Sequence, residues 1–305
     1  MASKSARNKI KLAILVLILI VGVLTVGSLI NFTKSLFTPF SKEESKKGFW
    51  DGNTQINLVL KTHSVSLLSF DPSEQTIKVV TVPGETYVEL PDDFGSWQVT
   101  SVYDLGQGEN PARGVYFLKT ALTSYLGLPI DGFMTANFST PEEAIALFRN
   151  QPTQLLSKLP SLNTDLTPLE LIRLYIGFRG VRFDKITYVN LDTNMDDFVA
   201  KNLFDSQLHQ TQVSVAVFNG TKLPGKAKEV ARLVSNLGGN VIISNNFELD
   251  NIKHSFIFPK KGDYASQRLG RIFTSDCSEE QICDKLKDEL YSRAQINIVI
   301  GEDFF

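Results

Sequence analysis

The stretch Val213–Val241, VSVAVFNGTKLPGKAKEVARLVSNLGGNV, contains the pattern that decides the fold class of the C-terminal third of the chain. Its first residues, VSVAVFNGT, predict a β-strand that runs into an Asn-Gly turn. A helix follows, because apolar residues recur at helical spacing along one face until Gly238-Gly239 ends it. The later segments supply the remaining elements, which are strands at 241–244, 255–258 and 296–301 and helices near 264–273 and 278–291. Residues 212–305 are therefore predicted to form a small βαββααβ domain.

Residues 55–191 have strand patterns at both ends and helix patterns between them. Ile56–Phe70 is apolar and predicts one buried strand or two closely joined strands. Thr140-Pro141 and Thr167-Pro168 each begin a helix, because a threonine, a proline and a glutamate three residues later form a capping box. Lys185–Leu191 predicts the final strand. This alternation favours an α/β sandwich.

The N-terminus predicts a membrane anchor. Residues 12–33 carry no charge and would form about 33 Å of helix at ~1.5 Å per residue, enough to cross a bilayer. A cleaved signal peptide usually has an apolar stretch of only ~7–15 residues, so the length favours an uncleaved, single-pass transmembrane helix. Basic residues within 1–11 place this tail in the cytoplasm and the bulk of the chain outside. The expected localisation is therefore the cell membrane, with an extracytoplasmic bulk.

Composition limits the class of protein. The chain has 305 residues, of which 43% are hydrophobic and 21% charged, a globular composition with material for about two domains. Its net charge of −2 argues against nucleic acid as a partner, because nucleic-acid binders usually carry a basic excess. Residues 34–54 are charged and predict a linker to the first domain. Residues 192–211 are polar and predict an interdomain connector that could hold one short helix.

Two glycines before a helix that begins at Pro111 imitate a phosphate-binding loop. Gly106-Gln107-Gly108 precedes the helix, and Arg113 in its first turn would add a positive charge for an anion contact. The third glycine of a dinucleotide-binding pattern would fall on Pro111, which excludes that class of site. An ordinary loop and an anion site remain as alternatives.

The other residues with possible site chemistry have mainly structural interpretations. The three histidines share no metal-ligand spacing, and they are His63, His209 and His254. Asp92-Asp93 fits a solvated turn, with a metal role as the alternative. Three arginines fit a solvated helix face or, alternatively, an anion site, and they are Arg173, Arg179 and Arg182.

The two cysteines suit an oxidising compartment. Cys277 and Cys283 have a C-x5-C spacing that could close a small disulfide loop, and two free buried thiols are the alternative. Neither has the Cys or His companions of a metal site, so no metal is predicted there.

The pattern as a whole resembles a known family. The anchor, then LLSFDPSEQTIKVVTVPGETYV and LKTALTSYLGLPIDGFMTANF, resemble the LytR-CpsA-Psr family of cell-envelope proteins over most of residues 55–191. The last unit resembles the LytR C-terminal domain over residues 212–304. That second match is carried by Asn219-Gly220-Thr221, Pro224-Gly225 and Gly301-Glu302-Asp303.

The resemblance implies a specific chemistry and also its loss. Family members are extracytoplasmic phosphotransferases that move glycopolymers from a polyprenyl pyrophosphate carrier to peptidoglycan, usually with magnesium. Their arginines and aspartates hold the pyrophosphate, since planar guanidinium groups bind phosphate bidentately. The family's Pro-Arg-Asp-Thr-Tyr-Val contains Gly84 and Glu85 here in place of the arginine and aspartate. Its Arg-Ser-Asp-Thr corresponds to a segment in which Lys61 and His63 replace the same two residue types.

Further departures point the same way. A loop bearing Gly-Ser-Asp and a later arginine-rich block of the family have no counterpart here. Lys61 and Arg149 could still form a weak anion site, but losing the bidentate groups should cost ~1.5–3 kcal/mol per charged hydrogen bond.

Two functional hypotheses follow from the resemblance. The first is a non-catalytic, degenerate scaffold or interaction protein of the cell envelope, which needs no cofactor. The alternative is an active phosphotransferase that uses Lys61, His63 and Glu85 in substitute roles and requires magnesium. The expected partners are the membrane, together with peptidoglycan, a polyprenyl-linked glycopolymer or other envelope proteins.

Overall fold

The computed structural model describes residues 48–110, 113–191, 195–259, 262–273, 277, 280–286 and 293–304. The transmembrane helix expected at residues 12–33 and most of the expected linker lie outside these ranges. Within the described ranges, no helix combines the length and the apolar character that a membrane crossing requires.

Residues 56–190 form a sheet of six strands with helices packed on it. The elements in chain order are β1 (Ile56–Lys61), β2 (Val65–Asp71), β3 (Thr76–Val82), β4 (Tyr87–Glu89), β5 (Ser96–Gln98), α1 (Val99–Glu109), α2 (Arg113–Leu126), β6 (Gly132–Thr135), α3 (Pro141–Asn150), α4 (Pro152–Lys158), β7 (Asn163–Thr164), α5 (Pro168–Gly180) and β8 (Ile186–Asn190). The six strands are ordered β7-β6-β1-β2-β3-β8, and β4 pairs with β5 in a separate hairpin. Strands β1, β2 and β3 are antiparallel neighbours, whereas β6 runs parallel to β1 and β8 parallel to β3.

The side chains of β1 show how the sheet divides two cores. Leu58 and Leu60 pack in a cluster with residues of α3 and α5. Val59 points to the opposite face and packs in a cluster with residues of α1 and α2. This alternation follows from the period of two along a strand, and it gives the helix, sheet and helix layers of an α/β sandwich. The prediction of an α/β sandwich for this domain is therefore confirmed, and Ile56–Phe70 forms two strands.

The helix starts at the two Thr-Pro pairs are confirmed. At α5 the Thr167 hydroxyl accepts from the Glu170 backbone N–H, and the Glu170 carboxylate accepts in return from the Thr167 backbone N–H. At α3 the Thr140 hydroxyl accepts from Glu143, but the Glu143 carboxylate accepts from the Ser139 backbone N–H instead. Only α5 therefore has the complete capping box.

The prediction of a loop at Gly106–Gly108 is wrong. This segment is the end of helix α1, and the reason is the close contact between α1 and α2. A Cβ on Gly106 would lie 2.7 Å from the backbone oxygen of Arg113, so the position accepts only a residue without a side chain. The glycine serves helix packing here, and the loop alternatives for this segment no longer apply.

The connector is more structured than its polarity indicates. It contains two helices, α6 (Met195–Asn202) and α7 (Ser206–Thr211), where the sequence indicated one. Phe198, Val199 and Leu208 are buried in a core that includes residues from both domains. Only a few apolar side chains bury these helices. Most of the neighbouring residues are polar, so the sequence pattern did not indicate a buried segment.

Among its described residues, the C-terminal unit has the predicted element order βαββααβ. Its elements are β9 (Ser214–Asn219), α8 (Lys226–Leu237), β10 (Asn240–Asn246), β11 (Phe256–Phe258), α9 (Tyr264–Gly270), α10 (Glu280–Lys285) and β12 (Ile296–Ile300). The sheet order is β10-β9-β12-β11, with β9 parallel to both neighbours. One buried cluster joins Leu67, Val80 and Leu126 of the first domain to the core of this second sheet. The two domains therefore share a continuous hydrophobic core.

Candidate functional site

Four positions singled out by the family resemblance lie along one edge of the first sheet. Lys61 ends β1 and His63 lies in the turn to β2, while Gly84 and Glu85 form the turn after β3. The strand register places Lys61 two strands from the end of β3, a separation of about 10 Å at ~4.8 Å per strand. The fold thus brings these four residues together, and we call their location the strand-end edge.

Lys61 faces protein partners at this edge. Its Nζ lies 3.7 Å from Oδ1 of Asp104, and 5.3 Å from the centre of the Tyr103 ring. The Tyr103 hydroxyl is in turn fixed by Gln107 at 2.6 Å and by Asn163 at 2.9 Å. A single lysine that is shared with an aspartate is a weak phosphate ligand compared with a bidentate arginine.

His63 lines an open groove of about 370 Å³ formed with Thr62 and residues 136–139. Its Nδ1 lies 3.3 Å from the backbone oxygen of Ser139, which precedes helix α3. Glu143 in the first turn of α3 has a lowered pKa, mainly because the Ser139 backbone N–H donates to its carboxylate. This carboxylate also pairs with Lys158, whose Nζ lies 3.5 Å from it and donates to the Asn137 backbone oxygen, so the groove is bordered by one charge of each sign.

The Gly84-Glu85 turn has no acid-rich surroundings. The Thr86 backbone N–H donates to the Pro83 oxygen to close the turn, and the Glu85 side chain is exposed. Among the described residues no three His, Cys, Asp or Glu side chains come close enough to hold a metal ion. The nearby carboxylate of Asp104 already contacts Lys61. The donor set at the strand-end edge therefore does not fit a protein-held magnesium ion.

Every arginine of residues 55–191 contacts another protein group. Arg113 forms an ion pair with Asp92 at 2.5 Å, and Arg149 donates to the Val181 backbone oxygen at 2.6 Å beneath the Phe183 ring. The remaining contacts are Arg173 with the Trp50 oxygen, Arg179 with the Tyr175 hydroxyl and Arg182 with Asp184. The contacts of Arg149 and Lys61 are separate, because Arg149 donates to the Val181 backbone oxygen and Lys61 lies beside Asp104. Arg149 lies in the last turn of α3, whereas the first turn of this helix faces the groove at the strand-end edge.

A second charged cluster, which sequence reasoning missed, lies between the two domains. We call it the domain junction, and its members are Asp131, Asp205, Tyr264, Arg268 and Arg271. Arg268 donates to both carboxylate oxygens of Asp131 at 3.0 and 3.2 Å, and its Nε lies 3.3 Å from Asp205. Arg271 contacts Asp131 and donates to Thr54. The signal in the sequence was an arginine at position 268, beside Leu269 and three residues after Ala265, on the apolar face of α9.

Burial and charge shift the pKa values at the domain junction in opposite directions. Burial raises the pKa of Asp131, but Arg268 and Arg271 outweigh it and lower this pKa to about 2. Burial dominates at Asp205 and raises its pKa, despite the Arg268 charge. Tyr264, which donates to Asp205, also has a pKa raised by burial and by that carboxylate. Asp131 is therefore held as a carboxylate by its two arginines.

The remaining predicted residues do not converge on a site. Cys277 and Cys283 are joined in a disulfide, which resolves the two alternatives for this pair. His254 lies 3.4 Å from Asp303, and the His209 ring packs on Phe204. The three histidines thus lie in separate surroundings.

The C-terminal unit matches a known family. Residues 212–304 match the family model described as LytR cell envelope-related transcriptional attenuator, which confirms the predicted LytR C-terminal domain. The sequence matches no curated protein. The similar solved structures include Bacillus subtilis TagT, at 16% identity over 51% of this chain and 86% of TagT, with a TM-score of 0.35.

Two further structures belong to the same comparison. One is Bacillus subtilis TagU, at 9% identity over 48% of this chain and 94% of TagU, with a TM-score of 0.35. The other is a LytR-CPS2A-psr family protein, YwtF (TagT), with bound octaprenyl pyrophosphate lipid, at 17% identity over 50% of this chain and 85% of that protein, with a TM-score of 0.35.

Proposed function

We propose that this protein is a membrane-anchored, extracytoplasmic protein that acts as a non-catalytic scaffold or interaction partner in cell-wall or surface glycopolymer biogenesis. The LytR C-terminal domain and the LytR-CpsA-Psr resemblance of residues 55–191 support the envelope role. The uncharged residues 12–33 support the anchor. Its partners would be peptidoglycan, a polyprenyl-linked glycopolymer or other envelope proteins.

The observation that carries the non-catalytic role is the placement of the arginines. Pyrophosphate transfer needs guanidinium groups or a metal that neutralise the charge developed on the phosphates. All five arginines of residues 55–191 contact protein groups, and none of these contacts lies among the four residues of the strand-end edge. The lysines near this edge already contact protein groups, since Lys61 is shared with Asp104 and Lys158 with Glu143 and the Asn137 backbone oxygen. Such a site lacks the bidentate contacts that phosphate recognition uses.

The alternative is that the chain remains a transferase. The open groove beside His63 and the position of Lys61 at the same edge are the observations that favour it. This alternative requires that a pyrophosphate bind at the strand-end edge and that magnesium strengthen the binding.

Calorimetry with farnesyl pyrophosphate, a soluble polyprenyl pyrophosphate, distinguishes the two functions. The full chain in detergent is titrated with and without magnesium, beside the variants Lys61→Ala and Lys185→Ala. Lys185 is an exposed lysine in the turn before β8, which begins beside the start of β3 and so at the opposite end of the sheet from the strand-end edge, and it serves as the matched control. We expect a dissociation constant weaker than about 1 mM, equivalent to about −4 kcal/mol, in all three chains.

Micromolar, magnesium-dependent binding that Lys61→Ala abolishes and Lys185→Ala preserves would refute the non-catalytic role. Transfer of a glycopolymer to peptidoglycan would then be the next assay. Binding that both variants reduce equally would reflect nonspecific attraction between lysines and pyrophosphate, and it would leave the proposal standing.

A further inference from the structure

The outward face of helix α5 carries apolar side chains that are exposed to solvent. Ile172 and Ile176, four residues apart and so neighbours on the helix surface, are 48% and 65% exposed. The inward face of the same helix carries Leu171, Leu174 and Phe178, which are buried. Two exposed isoleucines on neighbouring turns, opposite a buried apolar face, indicate a surface that can be covered by a partner.

This apolar surface continues beyond the helix and is rimmed by positive charge. Phe183, in the turn after α5, is 75% exposed, and one side of its ring lies 3.9 Å from the Arg149 guanidinium. Between residues 168 and 185 the basic residues are Arg173, Arg179, Arg182 and Lys185, and the acidic residues are Glu170 and Asp184. Glu170 is fully buried in its capping box and the exposed Asp184 pairs with Arg182, so the remaining exposed charges, those of Arg179 and Lys185, are positive. We call this surface the α5 face, and it comprises Ile172, Ile176, Arg179, Arg182 and Phe183.

The N-terminal part of the described chain is hydrogen-bonded to the same helix. The Trp50 backbone N–H donates to Glu170 at 2.7 Å, and Arg173 donates to the Trp50 backbone oxygen at 2.6 Å. The Trp50 side chain is buried in the core beneath α5. The chain therefore joins the domain beside the first turns of α5.

The length of the segment between the expected anchor and α5 limits the distance between them. The segment from residue 34 to residue 48 can span at most about 50 Å when fully extended, and a flexible coil of this length averages about 20 Å. The LytR C-terminal domain shares its core with Leu67 and Val80, which point to the side of the first sheet away from α5. An anchor at residues 12–33 would thus keep the first turns of α5 within this distance of the bilayer, and Thr54 and Gln55, which follow the entry point, also contact Arg271 and Tyr264 of the C-terminal domain.

We propose that the α5 face docks on the surface of the membrane that holds the anchor, with Ile172, Ile176 and Phe183 at the headgroup boundary and the arginines on anionic headgroups. This inference rests on the membrane anchor of the proposed function. The combination of apolar and arginine side chains on one face is the pattern of interfacial helices. A second copy of the chain is a poorer occupant, because two positively charged faces would repel each other.

Fluorescence quenching by lipid tests the docking in the full chain. The chain is reconstituted in phosphatidylcholine and phosphatidylglycerol nanodiscs that include a headgroup-region spin-labelled lipid. Ile176→Cys carries an environment-sensitive fluorophore, and Ile242→Cys, an exposed isoleucine of β10 in the C-terminal domain, is the matched control. Because both positions are exposed, neither substitution should disturb the fold, and Cys277 and Cys283 stay bonded to each other. We expect quenching at position 176 to be about threefold or more that at position 242.

The outcomes separate the docking from the anchor. Chains that stay with the discs but show equal quenching at both positions overturn the docking and leave the anchor in place. Self-quenching of the fluorophore at 176 without lipid quenching overturns it in favour of a second copy. Chains that do not stay with the discs contradict the anchor, and the docking falls with it. Discs without phosphatidylglycerol should reduce quenching at 176 by about half, because the electrostatic attraction is lost, and an unchanged value overturns the role given to the arginines.

Discussion

The strand-end edge and the domain junction are both charged, but they use charge in different ways. At the strand-end edge, Lys61 lies 3.7 Å from an aspartate that is 68% exposed. At the domain junction, Arg268 is fully buried and binds Asp131 through two hydrogen bonds. The bidentate arginine geometry that suits phosphate recognition is thus found where this chain holds its two domains together. Here the arginine–carboxylate contact joins the two domains and is not part of the candidate ligand site.

Removing Arg268 should break this comparison most strongly. Arg268→Ala leaves the buried Asp205 carboxylate without a guanidinium partner and leaves Asp131 with Arg271 alone. Breaking a buried ion pair in this way costs about 3–5 kcal/mol in the free energy of unfolding. The matched control is Arg182→Ala, which removes an exposed ion pair with Asp184 and should cost less than about 1 kcal/mol. Guanidinium unfolding of the full chain in detergent, followed by tryptophan fluorescence, measures both.

The shape of the unfolding curve adds a second readout for this variant. The shared core predicts a single transition for the unmodified chain, because neither domain can lose it alone. Arg268→Ala should separate the domains into two transitions. A cost equal to that of Arg182→Ala, with one transition, would show that the junction charges do not join the domains.

Asp131 should make the stability depend on pH in the acid range. Its pKa is about 2 in the folded protein and 3.8 in its unperturbed state, so the folded chain binds this proton less readily. The stabilisation is therefore present above about pH 4 and is lost as the pH falls toward about 2, with a size of about 2 kcal/mol. Asp131→Asn should lack this loss. The difference between the two unfolding free energies, measured from pH 5 to about pH 2, checks it.

Asp205 supplies an internal control of opposite sign. Burial raises its pKa, so its contribution to stability is greatest at low pH and is lost as the pH rises. The free-energy difference between the unmodified chain and Asp205→Asn should therefore change with pH in the direction opposite to that for Asp131→Asn. Parallel curves for the two variants would contradict the charge assignment at the junction.

Patterns within short windows of the sequence predicted the helices and strands, but they could not predict contacts between residues that are far apart in the chain. Strand β9, helix α8 and the capped starts of α3 and α5 depend on neighbouring residues, so their signals are present in a short window. Helix α1 was missed because Gly106 was taken as a loop residue, although its role is a close contact with Arg113 in the next helix. The Asp131 and Arg268 pair joins residues that are 137 positions apart, and no periodicity encodes such a contact. The family resemblance located the strand-end edge, but it could not show which groups its charges contact.

The smallest expected effect is at Lys61, and it decides how the ligand test is interpreted. Lys61→Met keeps the apolar stem against Tyr103 and removes the charge near Asp104. Because that aspartate is exposed, we expect a loss of less than about 1 kcal/mol in the unfolding free energy. A loss above about 2 kcal/mol would make Lys61 a structural cation. Lost pyrophosphate binding in Lys61→Ala would then reflect a disturbed fold, and only a chain that retains its stability can assign the contact to the lysine itself.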